Sequence, residues 1–154
     1  AGKRQYVQLL QKGLVGIEAG SGRFLWRDDR PISRFNANIP TPVAGDGYIY
    51  TASAGTGAGA VKLVAKPGGV EARPVYFESK LPTAIGGTIK LGKHLYGTTS
   101  QAMMCLEIAT GEVLWQERAV GAASMVYADG RLYLHGENGD VALMEPSLEG
   151  HRSE

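Results

Sequence analysis

Few residues in this chain of 154 combine the types and spacing that chemistry needs. Gly55-Thr56-Gly57-Ala58-Gly59 has the outline of a dinucleotide-binding loop. In such a loop the backbone N–H groups at a helix N-terminus hold a pyrophosphate. Here Val61-Lys62-Leu63-Val64 follows as a strand and stops at Pro67. No helix stands behind the glycines, and a glycine-rich hairpin loop is the expected structure. His94, His135 and His151 fall in separate elements without ligand spacing, whereas a zinc site needs convergent donors. Cys105 lies inside a strand as a small hydrophobe, and a single cysteine excludes an internal disulfide. Neither a G-x-S-x-G elbow nor a Ser, His and Asp set placed for a triad is present. The neighbours Asp28 and Asp29 point opposite ways on a strand, so a solvated loop between Arg27 and Arg30 is expected instead of a catalytic pair.

Chemistry being this sparse, the elements carry the information. Glycine stands at 22 of 154, about double its usual share, which favours tight turns over long helices. Charge is nearly balanced, at +1, so no basic field exists to release counterions from a nucleic acid. Apolar runs are too short to span a membrane, and no signal peptide is visible from Ala1 onward. Period-2 segments bounded by glycine turns predict fourteen short strands, in an all-β fold. Asp46-Gly47, Asp129-Gly130 and Asn138-Gly139 are hairpin turns.

An internal repeat organises those strands. Ile17-Glu18-Ala19-Gly20-Ser21-Gly22-Arg23-Phe24-Leu25-Trp26 matches Leu106-Glu107-Ile108-Ala109-Thr110-Gly111-Glu112-Val113-Leu114-Trp115. Gly22 to Gly111 and Trp26 to Trp115 are each 89 positions apart, twice the length of one four-stranded propeller blade. A degenerate middle copy places Pro74-Val75-Tyr76 where the other two place Trp26 and Trp115. A second motif recurs as Asp46-Gly47-Tyr48-Ile49-Tyr50, Gly92-Lys93-His94-Leu95-Tyr96 and Asp129-Gly130-Arg131-Leu132-Tyr133. The expected domain is one β-propeller segment over 1–154, with blades near 3–28, 40–78, 86–117 and 123–145 and a tail over 146–154. Trp26, Tyr76, Trp115, Gly22 and Gly111 are expected to pack blade on blade, a recurring aromatic being a seam plate before it is a ligand platform.

Blade geometry also sorts the loops. In strands A to D running up and down, the A–B and C–D turns share one rim and the B–C and D–A connections share the other. The first rim holds only short turns. The second holds Asp29–Pro40, Ala54–Gly59, Ser79–Gly86 and Arg118–Ala122, and unequal loops on one face are where such scaffolds carry function. Arg27, Asp29, Arg34, Phe35, Asn36 and Asn38 combine charge, amide and aromatic groups there. They form the candidate ligand or partner surface; the competing reading is that they tie down a long loop.

These motifs resemble the pyrroloquinoline-quinone-type propeller repeat, A-x-D-x-x-T-G-x-x-x-W, with Glu107 at the usual Asp and Ser21 at the usual Thr. Gln5-Tyr6-Val7, Thr41-Pro42-Val43 and Tyr127–Tyr133 are similar to its secreted bacterial branch. The resemblance implies a periplasmic or extracellular protein. Its relatives include quinoprotein dehydrogenases, an outer-membrane assembly lipoprotein and other secreted propellers. The dehydrogenases use pyrroloquinoline quinone with calcium, an Asp base and often a Cys-Cys pair. That pair is missing here, and neither the base nor the calcium carboxylates map onto matching motifs. The expected function is therefore a non-catalytic scaffold without a cofactor that binds a protein or small ligand on the long-loop rim, with a piece of a quinoprotein oxidoreductase as the alternative. Rings of this family have about seven or eight blades, and fourteen strands make three and a half. The remainder of a longer chain, or a second copy of this one giving seven blades of four, would complete the ring.

Overall fold

The computed structural model describes residues 2–35 and 37–150. Among the described residues it contains fourteen strands and no helix. Blade 1 is β1 (Gln5–Leu10), β2 (Gly13–Glu18) and β3 (Phe24–Asp28). Blade 2 is β4 (Val43–Gly45), β5 (Tyr48–Ser53), β6 (Gly57–Lys66) and β7 (Gly69–Glu78). Blade 3 is β8 (Thr88–Leu91), β9 (His94–Thr98), β10 (Ala102–Glu107) and β11 (Val113–Arg118). Blade 4 is β12 (Ala123–Ala128), β13 (Arg131–Gly136) and β14 (Val141–Met144). Each blade is one antiparallel sheet whose strands pair in chain order. β4, β8 and β12 are the inner strands and touch from blade to blade, while β3 meets β7 on the outside. The all-β expectation holds, and the fourteen strands are distributed over four sheets. Among the described residues blade 1 has no inner strand and blade 4 no outer one, so these are two separate three-stranded sheets instead of one divided blade. Two copies would accordingly give eight sheets, not seven blades of four.

The repeats have a local physical cause. In the turn between β2 and β3, Ser21 Oγ donates to Glu18 Oε2 at 2.6 Å, and Gly22 N donates to Glu18 O at 2.9 Å. Between β10 and β11, Thr110 Oγ1 donates to Glu107 Oε2 at 2.8 Å, and Gly111 N to Glu107 O at 2.9 Å. Gly22 and Gly111 close these turns at φ of 70° and 76°, where a side chain would be strained. Asp46-Gly47 and Asp129-Gly130 both hold two successive positive φ angles, the geometry of a two-residue turn that follows strand twist.

In each of the first three blades the pairing of the two outer strands shifts register once. The shifts fall between Gly16 and Ile17, Ala60 and Val61, and Cys105 and Leu106. At the same place a small residue faces an aromatic: Gly16 opposite Trp26, Ala60 opposite Tyr76, Cys105 opposite Trp115. A Cβ on Gly16 would stand 2.2 Å from the Trp26 ring, so the small residue makes room for the plate. The bulge re-aims that plate toward the neighbouring blade.

The core lies between blades, in three seams. Leu9, Leu14 and Trp26 meet Ile49, Val61 and Val70. Tyr50, Ala52 and Ala58 meet Leu81, Leu95, Leu106 and Ile108. Tyr96, Met103, Cys105 and Trp115 meet Ala123, Leu132, Leu134 and Met144. Residues alternate across each strand, so Ile49 serves one seam and Tyr50 the next. Each large buried side chain contributes roughly 1.5–3 kcal/mol through area removed from water.

One expectation needs correction. Ala54–Gly59 is not a long loop: the turn is residues 54–56, and Gly57 and Gly59 lie within β6. Gly59 is required because a Cβ there would stand 2.2 Å from Tyr76 O on β7. β6 and β7 extend to ten residues each and form the longest hairpin of the chain.

Candidate functional site

The connections after β1, β3, β5, β7, β9, β11 and β13 all emerge on one rim. The connection from β3 to β4, residues 29–42, is the longest, and blade 2 holds it from below. Asp28 receives a two-pronged bond from Arg30, with Nε to Oδ1 at 2.9 Å and Nη2 to Oδ2 at 2.8 Å. Arg30 also donates to Ala60 O at 3.4 Å and Tyr76 O at 3.5 Å, and its guanidinium lies over the Phe77 ring at 5.9 Å. This planar fork with an aromatic underneath suits arginine and not lysine. The expected solvated loop is corrected here for Asp28: it ends β3, its side chain is 8% exposed, and the Arg30 fork holds it, while Phe77 has no signal in the sequence.

The residues expected to form the surface separate into two groups. Arg27 pairs with Asp29 and donates from Nη2 to Lys12 O at 2.6 Å, binding the crossover to the turn between β1 and β2. Asn38 is a tie: its Nδ2 donates to Leu10 O at 2.7 Å, and its Oδ1 accepts from Ser33 N at 2.9 Å and Ser53 Oγ at 2.7 Å. Arg34 and Phe35 are exposed, Phe35 to 75%, and the Phe35 ring leans over Gly55. Asn36 lies outside the described residues, as does His151. The loop-tying reading thus accounts for Arg27, Asp29 and Asn38, and leaves Arg34 and Phe35 as outward groups.

Adjoining the turn at 54–56 is a groove that no sequence motif announces. A cavity of about 490 Å³ is lined by Ala54, residues of the 79–87 crossover, Ser100, Gln101, Gln116 and Glu137. A second, of about 410 Å³, continues it and shares Ser100, Gln101, Ala122 and Glu137 with the first. Together they run along the rim from blade 2 to blade 4. Gln101, Gln116, Arg118, Lys80 and Glu137 present exposed amide and charged groups of both signs. Such a lining suits hydrogen bonding to a polypeptide more than encapsulation of an apolar molecule.

The buried titratable groups belong to the seams. Trp26 Nε1 donates to Gln5 Oε1 at 2.6 Å, and Trp115 Nε1 donates to Ser147 O at 2.8 Å. Tyr76 OH donates to Ile108 O of the following blade at 3.1 Å, and its ring covers Gly111. Residues 146–150, the start of the expected tail, therefore supply an acceptor to blade 3. Burial pushes the Tyr50, Tyr76 and Tyr96 hydroxyls up, keeping them as donors. It pushes the Cys105 thiol up as well, which disfavours the nucleophilic thiolate. Among the described residues no three His, Cys, Asp or Glu side chains gather to hold a metal ion, and no helix is long and apolar enough to cross a membrane.

Stacked antiparallel sheets of three or four strands, three of them sealed by an aromatic on the outer strand, define a β-propeller repeat protein. Residues 1–117 match the family described as outer membrane protein assembly factor BamB, whose repeat is of the pyrroloquinoline-quinone-like type, and the chain belongs to that family. Among solved structures, BamB from Moraxella catarrhalis superposes with a TM-score of 0.68 at 16% identity, over 97% of this chain and 44% of that one. The computationally designed Ika8 protein aligns at a TM-score of 0.46 and 10% identity, over 99% of this chain and 58% of that one. This chain thus spans less than half the length of the BamB structure it matches. No curated protein matches it.

Proposed function

We propose that this chain is a non-catalytic scaffold of outer-membrane protein assembly, acting in the periplasm by docking another protein of that machinery on its long-loop rim. The groove carries this reading: two adjoining cavities bordered by Ser100, Gln101 and Glu137, with the exposed Phe35 ring over Gly55, the neighbour of the lining residue Ala54. The family description supplies the setting. A scaffold of this kind needs no nucleophile or base. It needs a rigid frame holding polar donors and acceptors at fixed spacing, which the seams provide.

A photo-crosslinking amino acid placed at Gln101, or at Lys93 on the opposite rim, tests the proposal in envelope extracts. A crosslink from position 101 to a component of outer-membrane protein assembly, with none from position 93, is the expected result. Equal labelling from both rims, or labelling of unrelated proteins alone, would count against it.

A further inference from the structure

Asn138-Gly139 is the one place in the sequence where an asparagine precedes a glycine. Pairing of His135 with Val141, and a bond from Gly136 N to Asp140 O, leave Glu137, Asn138 and Gly139 as a three-residue loop between β13 and β14. Gly139, at a φ of 91°, is the left-handed residue such a loop requires. Its N–H donates to Gly136 O at 3.0 Å. The Asn138 amide is tied at both atoms: Oδ1 accepts from Asp140 N at 3.1 Å, and Nδ2 donates to Asp140 Oδ2 at 2.6 Å. A Cβ at Gly136 would stand 2.7 Å from that Oδ1 and 2.7 Å from Val120 O, so the amide lies folded over a bare backbone position.

This loop is also part of the groove wall. Glu137 N donates to Ala122 O at 2.9 Å, and Glu137 and Asn138 line the second cavity together with Val120 and Ala122. Asn138 and Gly139 are at the same time exposed to water. An asparagine followed by glycine has an intramolecular reaction open to it, because no side chain on the next residue hinders approach to the backbone nitrogen. Gly139 N gives its proton to solvent and bonds to Asn138 Cγ, the Cγ–Nδ2 bond breaks, and ammonia leaves. Water then opens the cyclic imide, at Cγ to give isoaspartate's isomer, aspartate, or at the Asn138 backbone carbonyl to give isoaspartate itself. In the closed turn the two reacting groups are held apart, the N–H directed at Gly136 O and the amide at Asp140. Opening this exposed turn, a local event, releases both.

We propose that Asn138 is a modification site of this chain, at which deamidation is held back by the closed turn and, once it has occurred, prevents the turn from closing as before. Aspartate brings a second carboxylate against Asp140 where the Nδ2 donor stood. Isoaspartate lengthens the backbone of a three-residue loop and shifts its register. Either product moves the wall that Glu137 shares with Ala122 and adds a negative charge at that end of the groove. The inference holds whatever docks on the rim.

Peptide mass mapping of residue 138, with the purified chain kept at mildly alkaline pH, tests it. The folded chain should convert roughly tenfold more slowly than the same chain in guanidinium chloride. Asp140→Ser, with its far-UV spectrum unchanged, should convert several-fold faster than the folded parent. Equal rates in the folded and denatured chain would overturn the proposal, as would the parent rate in Asp140→Ser. Asn138→Asp reads the consequence directly: amide hydrogen exchange at Glu137 and Gly139 should quicken roughly tenfold. Exchange as slow as in the parent would show that the turn tolerates the new charge, and would overturn that half of the proposal.

Discussion

The first and third seams are built from the same words of sequence and sealed in different ways. In the seam between blades 1 and 2, the Trp26 indole is bonded within its own blade, by the Gln5 side chain. The ties across that seam come from the crossover, where the Arg30 fork reaches Ala60 and Tyr76 and Asn38 joins Leu10 to Ser53. Between blades 3 and 4, Trp115 fills the seam and also crosses it, donating to Ser147 O, with Tyr96 bonded to the same carbonyl. The two rings Tyr96 and Trp115 meet at 6.2 Å and 56°, within the range of favourable tilted pairs. The repeat therefore specifies an aromatic plate and a small residue opposite it. The polar partner of the plate is a local solution, taken from whichever chain segment passes nearby.

The largest expected effects test the plates themselves. Trp115→Ala and Trp26→Ala should each destabilise by about 3–5 kcal/mol in urea denaturation. Only Trp115→Ala should also make residues 145–150 more open to limited proteolysis, since Trp115 and not Trp26 bonds to them; equal cleavage in both variants would erase the distinction between the two seams. Next comes the fork. Arg30→Ala should cost roughly 1–3 kcal/mol, leaving Asp28 short of its partner, a figure reduced from that of a fully buried pair because Arg30 is partly exposed. Gln5→Ala should cost about 1–2 kcal/mol by stranding the Trp26 N–H, and in a Trp26→Phe background that cost should largely vanish. A double-mutant cycle without coupling would show that Gln5 does not act through the indole.

The smallest effect is one of pH. Lys3 at 2.5 Å and the Ser21 hydroxyl at 2.6 Å stabilise the Glu18 carboxylate and pull its pKa from 4.5 to about 2. The folded value is the lower one, so the contribution is complete above about pH 4.5 and is lost as pH falls toward 2. Glu18→Gln should flatten the thermal midpoint across that window and leave it little changed in shape near neutrality. A slope equal to that of the parent protein would remove Glu18 from the acid response.

Much of the frame was legible because its signals are local. Asp46-Gly47 and Asp129-Gly130 force two positive φ angles, and the alternation of Ile49, Tyr50 and Ala52 declares two buried faces. In the degenerate blade Tyr76 stands opposite Ala60 as Trp26 stands opposite Gly16. Gly57 and Gly59 misled because glycine has no side chain to alternate, and the reason for them, the closeness of Tyr76 O and Glu78 O, lies on another strand. The candidate surface was half legible. Its rim followed from strand count, but whether Asn38 faces a ligand or a loop depends on Ser33, Ser53 and Leu10 converging on it, which only folding brings about. The groove is a gap between turns of three blades, and a gap has no residue pattern of its own.

Among the described residues β14 pairs on one side, with β13, so four residues of its ladder face outward at the edge of blade 4. An unpaired edge bearing Val141 and Leu143 is a template on which other chains can add strands and grow toward a cross-β aggregate. Asp140 and Glu145 bracket it, one charge immediately before the strand and one immediately after. They act as gatekeepers: any strand added there must bring its own ends against two carboxylates. The chain is thus guarded against its own kind by this pair of charges at the edge as well as by its buried seams.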